Sequence, residues 1–262
     1  MDVYGLRAPV PVLLKAVILR CYSGHVPMGA HGMRTPVPML LRAAIWRYCN
    51  GHVPMDALGM STPVPMLLKA LGVENITELY CEPNGDFPHN PEPLPENLRD
   101  IAKTVGKSKS HLGIVVDPDV DRLAIVCEAG EMFGEEYTLV AVADYVLKNQ
   151  SGKKGNTVSN LSSTRALRDV TEKAGGKYFA SAVGEVNVVE MMKANNAIIG
   201  GEGNGGVIYP ELHYGRDALA GIALFLTHLA KYGKSCSRLR ASYPDYHISK
   251  NKIELTPEVN VY

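Results

Sequence analysis

Net charge is the first thing this sequence lacks. Its 27 Lys and Arg are matched by 27 Asp and Glu, leaving a formal charge of zero over 262 residues. Nucleic-acid binding is built largely on neutralising phosphates with basic side chains, so the balance predicts no nucleic-acid partner. Cysteine is sparse as well. The five, Cys21, Cys49, Cys81, Cys127 and Cys236, are odd in number, far apart, and include no C-x-x-C pair. That spacing excludes a disulfide scaffold and a zinc ribbon, and it predicts a reducing, cytoplasmic setting. No run approaches the roughly 20 apolar residues of a membrane span, and the proline-bearing N-terminal region lacks the shape of a signal peptide. No membrane partner is therefore predicted. What the sequence does hold is material for a core, 46% hydrophobic against 21% charged. That suits one large domain or two of ordinary size.

The chain opens on a repeat. Residues 2–28 and 29–55 are copies of a 27-residue unit, identical at 15 of 27 positions, and 56–71 repeats the start of the unit at 11 of 16. Each copy reads as a helix and a turn. Thr35 and Thr62 suit N-caps, and Pro36 and Pro63 fall at the first helical position, where a missing N–H costs nothing. Apolar residues follow at helical spacing, and Ser23-Gly24 and Asn50-Gly51 supply stops. Two and a half copies are too few for a solenoid, so a tandem duplication is the simpler origin. His25 and His52 recur at one position of the unit and are attributed to copying, with no chemistry assigned.

From residue 56 the pattern changes to strands alternating with helices, which implies mostly parallel sheets. Strands are expected at 76–81, 112–116 and 122–127, helices at 97–105 and 137–148, and an irregular proline-rich loop at 83–97. The polar, glycine-bearing stretch 148–156 reads as a linker. Beyond it come strands at 157–161, 177–180, 197–199 and 207–209, with helices at 164–174, 186–193 and 217–231. The fold class is α/β: two consecutive three-layer mixed α/β domains, 56–150 and 151–262, preceded by a duplicated helical segment at 1–55.

Three places carry chemistry. In the run from Gly113 to Val126, the carboxylates Asp117, Asp119 and Asp121 alternate in a tight turn between two apolar strands. Three such charges repel unless a cation sits among them, and an all-oxygen donor set in a compact turn suits Mg²⁺. Arg122 beside them offers a planar fork for a phosphate. An EF-hand loop also begins D-x-D-x-D, and Glu128 falls at its twelfth position. Arg122 replaces the glycine at the sixth, however, and the flanks are strands, so that reading is rejected. The second place is the glycine-rich loop 200–206, where Glu202 and Asn204 lie two residues apart beyond the end of a strand. An acid and an amide so placed suit adjacent sugar hydroxyls, and ligands of open α/β sheets collect at that end. The third is the start of the last long helix, where Asp217 suits an N-cap and Arg216 could meet a phosphate or a carboxylate.

Taken together, DPDVDR after GIVV, FPHNPEP at 87–93, SAVGEVNVVE at 181–190 and GGEGNGGVIYPELHYGRDA at 200–218 resemble the α-D-phosphohexomutases, in the phosphomannomutase, phosphoglucomutase and phosphoglucosamine mutase branch. The likeness covers about 56–255. It implies four domains around a cleft, of which 56–150 resembles the second and 151–250 the third. It also implies reversible, Mg²⁺-dependent transfer of a phosphoryl group between the 1 and 6 positions of a hexose or hexosamine phosphate. In the family a phosphoserine donates the group, through a bisphosphorylated sugar. By the resemblance, Asp117, Asp119 and Asp121 are the metal ligands, Arg122 is the catalytic arginine near the phosphoserine, and Glu202 and Asn204 hold sugar hydroxyls.

The sequence also departs from the family. It has no T-A-S-H-N-P type loop, the repeats stand where most of the first domain and the first strand of the second would be, and the fourth domain is not present. Gly206 occupies a position where many relatives carry histidine. The expectation is therefore an incomplete mutase. Two alternatives stand beside it: a non-catalytic module that binds sugar phosphate and Mg²⁺, and a phosphatase of the haloacid-dehalogenase type with Asp117 as nucleophile and Asp119 as acid/base. A lost strand would leave a sheet edge open, so either the repeats cover that edge or the chain self-associates through it.

Overall fold

The computed structural model describes residues 42–47, 63–81, 90, 92–150 and 154–248. The first repeat copy, most of the second, His25 and His52, residues 82–89 and 91 of the proline-rich loop, and 151–153 of the expected linker lie outside the described residues.

Two four-stranded sheets organise the chain. The first is built from β1 (Arg42–Arg47), β2 (Asn75–Leu79), β3 (Leu112–Val116) and β4 (Leu123–Cys127), in the order β2-β1-β3-β4. β1 runs parallel to β2 and β3, and β4 returns antiparallel to β3. The second uses β5 (Asn156–Asn160), β6 (Tyr178–Ser181), β7 (Ala197–Gly201) and β8 (Val207–Ile208), in the order β6-β5-β7-β8. β5 is parallel to β6 and β7, and β8 is antiparallel to β7. The sheets thus share one topology, three parallel strands closed by an antiparallel hairpin.

Helices cover both faces. They are α1 (Pro63–Ala70), α2 (Arg99–Ser108), α3 (Glu135–Lys148), α4 (Ala166–Lys173), α5 (Glu185–Ala194), α6 (Ala218–Tyr232) and α7 (Cys236–Arg240). Leu98, Ile101 and Val105 cover one face of the first sheet through Val115, Ala124 and Val126. Val188 and Met192 of α5 cover the second through Val158 and Ile208. The other faces share a single larger core in which α3 and α6 meet Ile114 and Ile125 of one sheet and Ile199 and Val207 of the other. Every residue of β3 and β4 is buried, the expected outcome for uninterrupted apolar runs between helical layers. Among the described residues no helix is long and apolar enough to cross a membrane.

One sequence expectation is overturned. The second repeat copy reads as a helix running on from Pro36, yet Arg42–Arg47 forms β1 and lies between β2 and β3. In the third copy the expected helix is present and begins at Pro63. Arg42-Ala43 and Lys69-Ala70 hold equivalent places in the two copies, one pair in a strand and the other in a helix. Local propensity is the same in both, so the difference comes from pairing, which gives β1 a partner on each side. The duplicated helical segment is thus not helical over 42–47. The short α7 was not anticipated. Its N-cap is Ser235, whose hydroxyl accepts from the Arg238 N–H.

Candidate functional site

Both chemistry-bearing turns occupy the same place in their respective sheets, the hairpin that joins the third strand in order to the antiparallel fourth. The acidic turn, 117–122, joins β3 to β4, and the glycine-rich loop, 202–206, joins β7 to β8. They touch through backbone. Arg122 and Gly206 form an antiparallel bridge, and the Leu123 N–H donates to the Gly205 carbonyl at 3.1 Å. The Ala218 N–H, at the start of α6, donates to the carbonyl of Val120 at 3.1 Å. Val120 itself holds a left-handed φ of 58°, which turns that carbonyl out of the hairpin.

Within the acidic turn, single carboxylate oxygens of Asp117, Asp119 and Asp121 all lie within 4.8 Å of one another. Asp117 is wholly buried. One of its oxygens accepts the N–H groups of Asp121 (3.1 Å) and Arg122 (2.9 Å), and the other accepts Arg122 Nε. Burial pushes this carboxyl up, but the backbone and guanidinium donors of Arg122 outweigh it and hold Asp117 below its usual range. Asp121 goes the other way. Burial and the neighbouring Asp117 charge push it up to about 7, despite the opposing Arg216 guanidinium. Its Oδ1 is buried without a hydrogen-bond partner. A carboxylate oxygen left bare among like charges lacks a cation, so the trio fits a metal ion held by oxygen donors. Asp119, the exposed member, faces solvent.

In the glycine-rich loop, Glu202 is 5% exposed. Its Oε1 accepts from Asn160 Nδ2 at 2.7 Å and from the Gly184 N–H at 3.3 Å. Its Oε2 accepts from Arg216 Nη1 at 2.8 Å and Asn204 Nδ2 at 3.5 Å. Asn204 accepts the Gly206 N–H at 3.1 Å, folding the loop over itself and leaving the amide half-buried. The glycines answer to close approach. A Cβ on Gly201 would come within 2.0 Å of the Gly206 carbonyl oxygen, and one on Gly206 within 2.5 Å of Arg216 Cδ.

Arg216 joins the two turns. Its Nη2 lies 2.5 Å from Asp121 Oδ2, its Nη1 2.8 Å from Glu202 Oε2, and its Nε 3.4 Å from Glu185 Oε2. Its backbone N–H also donates to Glu185 Oε1 at 2.8 Å. Asp217 next to it caps α6 by accepting from the Ala220 N–H at 2.9 Å, as its position suggests, and meets His213 Nε2 at 3.0 Å. Arg122, 27% exposed at its side chain, faces Glu92 at 3.8 Å as well as Asp117.

All seven residues singled out in the sequence therefore meet in one region: Asp117, Asp119, Asp121 and Arg122 on one turn, Glu202 and Asn204 on the other, Arg216 between. Three participants were not read from sequence. Asn160 closes β5 and lies 42 residues from Glu202, and Glu185 opens α5 31 residues from Arg216. Glu92 sits in the proline-rich segment. Asn160 carried the weak signal of a polar residue at a strand's carboxyl end, and Glu185 lay inside a recognised motif without a role.

Comparison with known proteins agrees with this arrangement. Residues 54–130 match the family model for phosphoglucomutase/phosphomannomutase alpha/beta/alpha domain II, and 134–246 match that for domain III. A phosphoglucomutase/phosphomannomutase of Thermococcus kodakarensis is 35% identical over 178 residues, 68% of this chain and 39% of that protein. A phosphomannomutase/phosphoglucomutase of Pseudomonas putida is 32% identical over 195 residues, 73% of this chain and 40% of that protein. The crystal structure of a phosphoglucomutase/phosphomannomutase family protein from Burkholderia thailandensis superposes with a TM-score of 0.66 at 24% identity, covering 90% of this chain and 46% of that one, which shows the shared fold. The chain spans well under half the length of these relatives. With both of its sheets inside matched segments and its two turns in equivalent hairpins, it belongs to the phosphoglucomutase/phosphomannomutase family.

Proposed function

We propose that this chain carries the metal turn and the sugar loop of a phosphohexomutase, acting on a hexose or hexosamine phosphate in Mg²⁺-dependent exchange of a phosphoryl group between the 1 and 6 positions. One observation carries the reading: Arg216 touches Asp121 and Glu202 at once, so the two turns serve a single site. Asp117, Asp119 and Asp121 would hold the ion, and hard oxygen donors on a short turn suit Mg²⁺. When bound, Mg²⁺ supplies positive charge that offsets the phosphoryl oxygens.

The chain's own residues do the rest. Arg122, tied to Asp117, presents its remaining guanidinium nitrogens to an incoming phosphate. Asn204 and Glu202 orient sugar hydroxyls, the amide donating and the carboxylate accepting. The exposed face of Arg216 offers a second fork for phosphate oxygens. Full burial of Asp117, with both oxygens already accepting, disfavours its use as a phosphatase nucleophile. We place the protein in the cytoplasm, on its free Cys81, Cys127 and Cys236. We keep the division 1–55, 56–150 and 151–262 as the working domain plan.

The test is calorimetric titration of the 262-residue chain with Mg²⁺ and with glucose 1,6-bisphosphate, beside an assay for conversion of glucose 1-phosphate to glucose 6-phosphate with the bisphosphate present. Mg²⁺ binding lost in Asp119→Asn, which is exposed and leaves the fold intact, is the expected result. Turnover supports the mutase. Binding of both ligands without turnover supports a sugar-phosphate module, a reading favoured by the lack of any T-A-S-H-N-P type loop in the 262 residues. Absence of Mg²⁺ binding defeats both.

A further inference from the structure

Arg216 is planted by its backbone. It forms an antiparallel bridge with Ile208, the Asp217 N–H donates to the Val207 carbonyl at 2.8 Å, and its own N–H is held by Glu185. Its side chain crosses directly over Gly206, where a Cβ would leave no room for the stem. The guanidinium therefore cannot withdraw from the site. It can only redistribute its donors among the groups within reach.

Those groups are spoken for twice. Asp121 is the carboxylate a cation would take, and Glu202 is the carboxylate a sugar would take. Glu202 already accepts from four donors, Asn160, Gly184, Arg216 and Asn204, which fills the roughly four lone-pair positions of a carboxylate. Asp121 has one oxygen committed to Arg216 and the other buried and bare. With the side chain 20% exposed, Arg216 Nε is also buried without a hydrogen bond of its own. One guanidinium thus balances three carboxylates with its geometry only partly satisfied.

We propose that Arg216 is a resident counter-cation that competes with the metal ion for Asp121 and, once displaced, is handed to the phosphate of the sugar ligand, coupling the two binding events. The proposal rests on the metal and sugar assignments made above and goes beyond them in stating how the two are linked. A divalent ion at Asp121 cancels the attraction that holds Nη2 there and sets like charges against each other. The freed nitrogen, still anchored beside Gly206, then faces the ligand with a donor that phosphate accepts well. By reciprocity, a phosphorylated sugar that engages Arg216 draws it off Asp121 and opens the metal turn.

Two consequences separate this from a merely structural arginine. Removing the competitor strengthens metal binding instead of weakening it, and it abolishes the linkage between the ligands. The experiment is calorimetry on the full chain, titrating Mg²⁺ with and without saturating glucose 1,6-bisphosphate, for the wild type, Arg216→Gln and Arg216→Lys. In the wild type the bisphosphate should tighten Mg²⁺ by about 5-fold or more, the lower end of ordinary couplings. In Arg216→Gln, Mg²⁺ alone should bind more tightly than to the wild type, and the bisphosphate should change that affinity by less than about 2-fold on the same scale. Arg216→Lys keeps the charge without the fork, so Mg²⁺ alone should bind as in the wild type while the coupling falls. It also serves if the glutamine variant does not fold. The proposal is overturned if the variants bind Mg²⁺ no more tightly and retain the full effect of the bisphosphate, which shows the ions attracting each other without the arginine. A wild type that binds no Mg²⁺ defeats the proposed function itself, and this inference with it.

Discussion

Gly205 holds the sugar loop against the metal turn, and no other residue can take its place. Its φ is +88°, and a Cβ there would stand 2.3 Å from the carbonyl oxygen of Leu123, the very group beside which the two hairpins join. Strain of this kind costs about 1–3 kcal/mol before any clash is counted. Gly205→Ala should therefore lower the unfolding midpoint in urea and weaken glucose 1,6-bisphosphate binding more than Mg²⁺ binding, since the loop must shift while the acidic turn keeps its own hydrogen bonds. Equal losses for both ligands would speak against a local effect. At this scale much of the site is legible in sequence, because Asp117, Asp119, Asp121 and Arg122 are close together and their chemistry follows from their spacing. Asn160 and Glu185 are not legible, because what makes them members of the site is a partner on another element, brought near only by the sheet and by α5.

Among the elements, the strand Leu112–Val116 was expected with the bounds observed, since an unbroken apolar run between turns has few alternatives. β1 was not. Its residues belong to a repeat whose proline and leucine pattern encodes a helix, and only the neighbouring strands settle the matter. α7 was missed because five residues with two arginines show no apolar face to read. Elements are also tied by a buried polar group that the proposed chemistry does not use. Asp144 of α3 accepts from Tyr243 at 3.2 Å and from Lys148 at 2.7 Å, and His228 of α6 lies 2.8 Å from the same tyrosine oxygen. Burial pushes the Asp144 carboxyl up, but His228 and Lys148 outweigh it and hold it below its usual value of 3.8. A carboxylate depressed in the folded state stabilises above its unfolded pKa, and that stability is lost as pH falls through the lower folded value. Asp144→Asn should thus cost about 1–3 kcal/mol near neutral pH. The gap from wild type should close as melts are taken below pH ~4. A constant gap from pH 7 to 3 would show that packing, not charge, is what the substitution removes.

The whole molecule is two versions of one plan. Each sheet sets three parallel strands beside an antiparallel fourth, and each places its functional turn at the hairpin between the last two. The plan in the first sheet is completed by a strand from the repeats, so those residues are structural. β1 separates β2 from β3, and deleting 1–55 would unpair β2 and bare one edge of β3. The truncated chain should elute as higher oligomers in size-exclusion chromatography and lose cooperative unfolding. A monodisperse, cooperatively melting fragment 56–262 would show that β1 is dispensable. This dependence could not be read from the repeat pattern, since the reason for it lies in strand order and not in any residue's own preference.

The rung between Arg122 and Gly206 also fixes a tally. Side chains alternate across a hairpin, so one residue added or removed between β7 and that rung would send Arg122, Gly206 and every position beyond them to the opposite side. Segment 202–206 can thus vary in spelling but not in length. Anyone splicing chimaeras from this protein and a relative should set crossover points outside it.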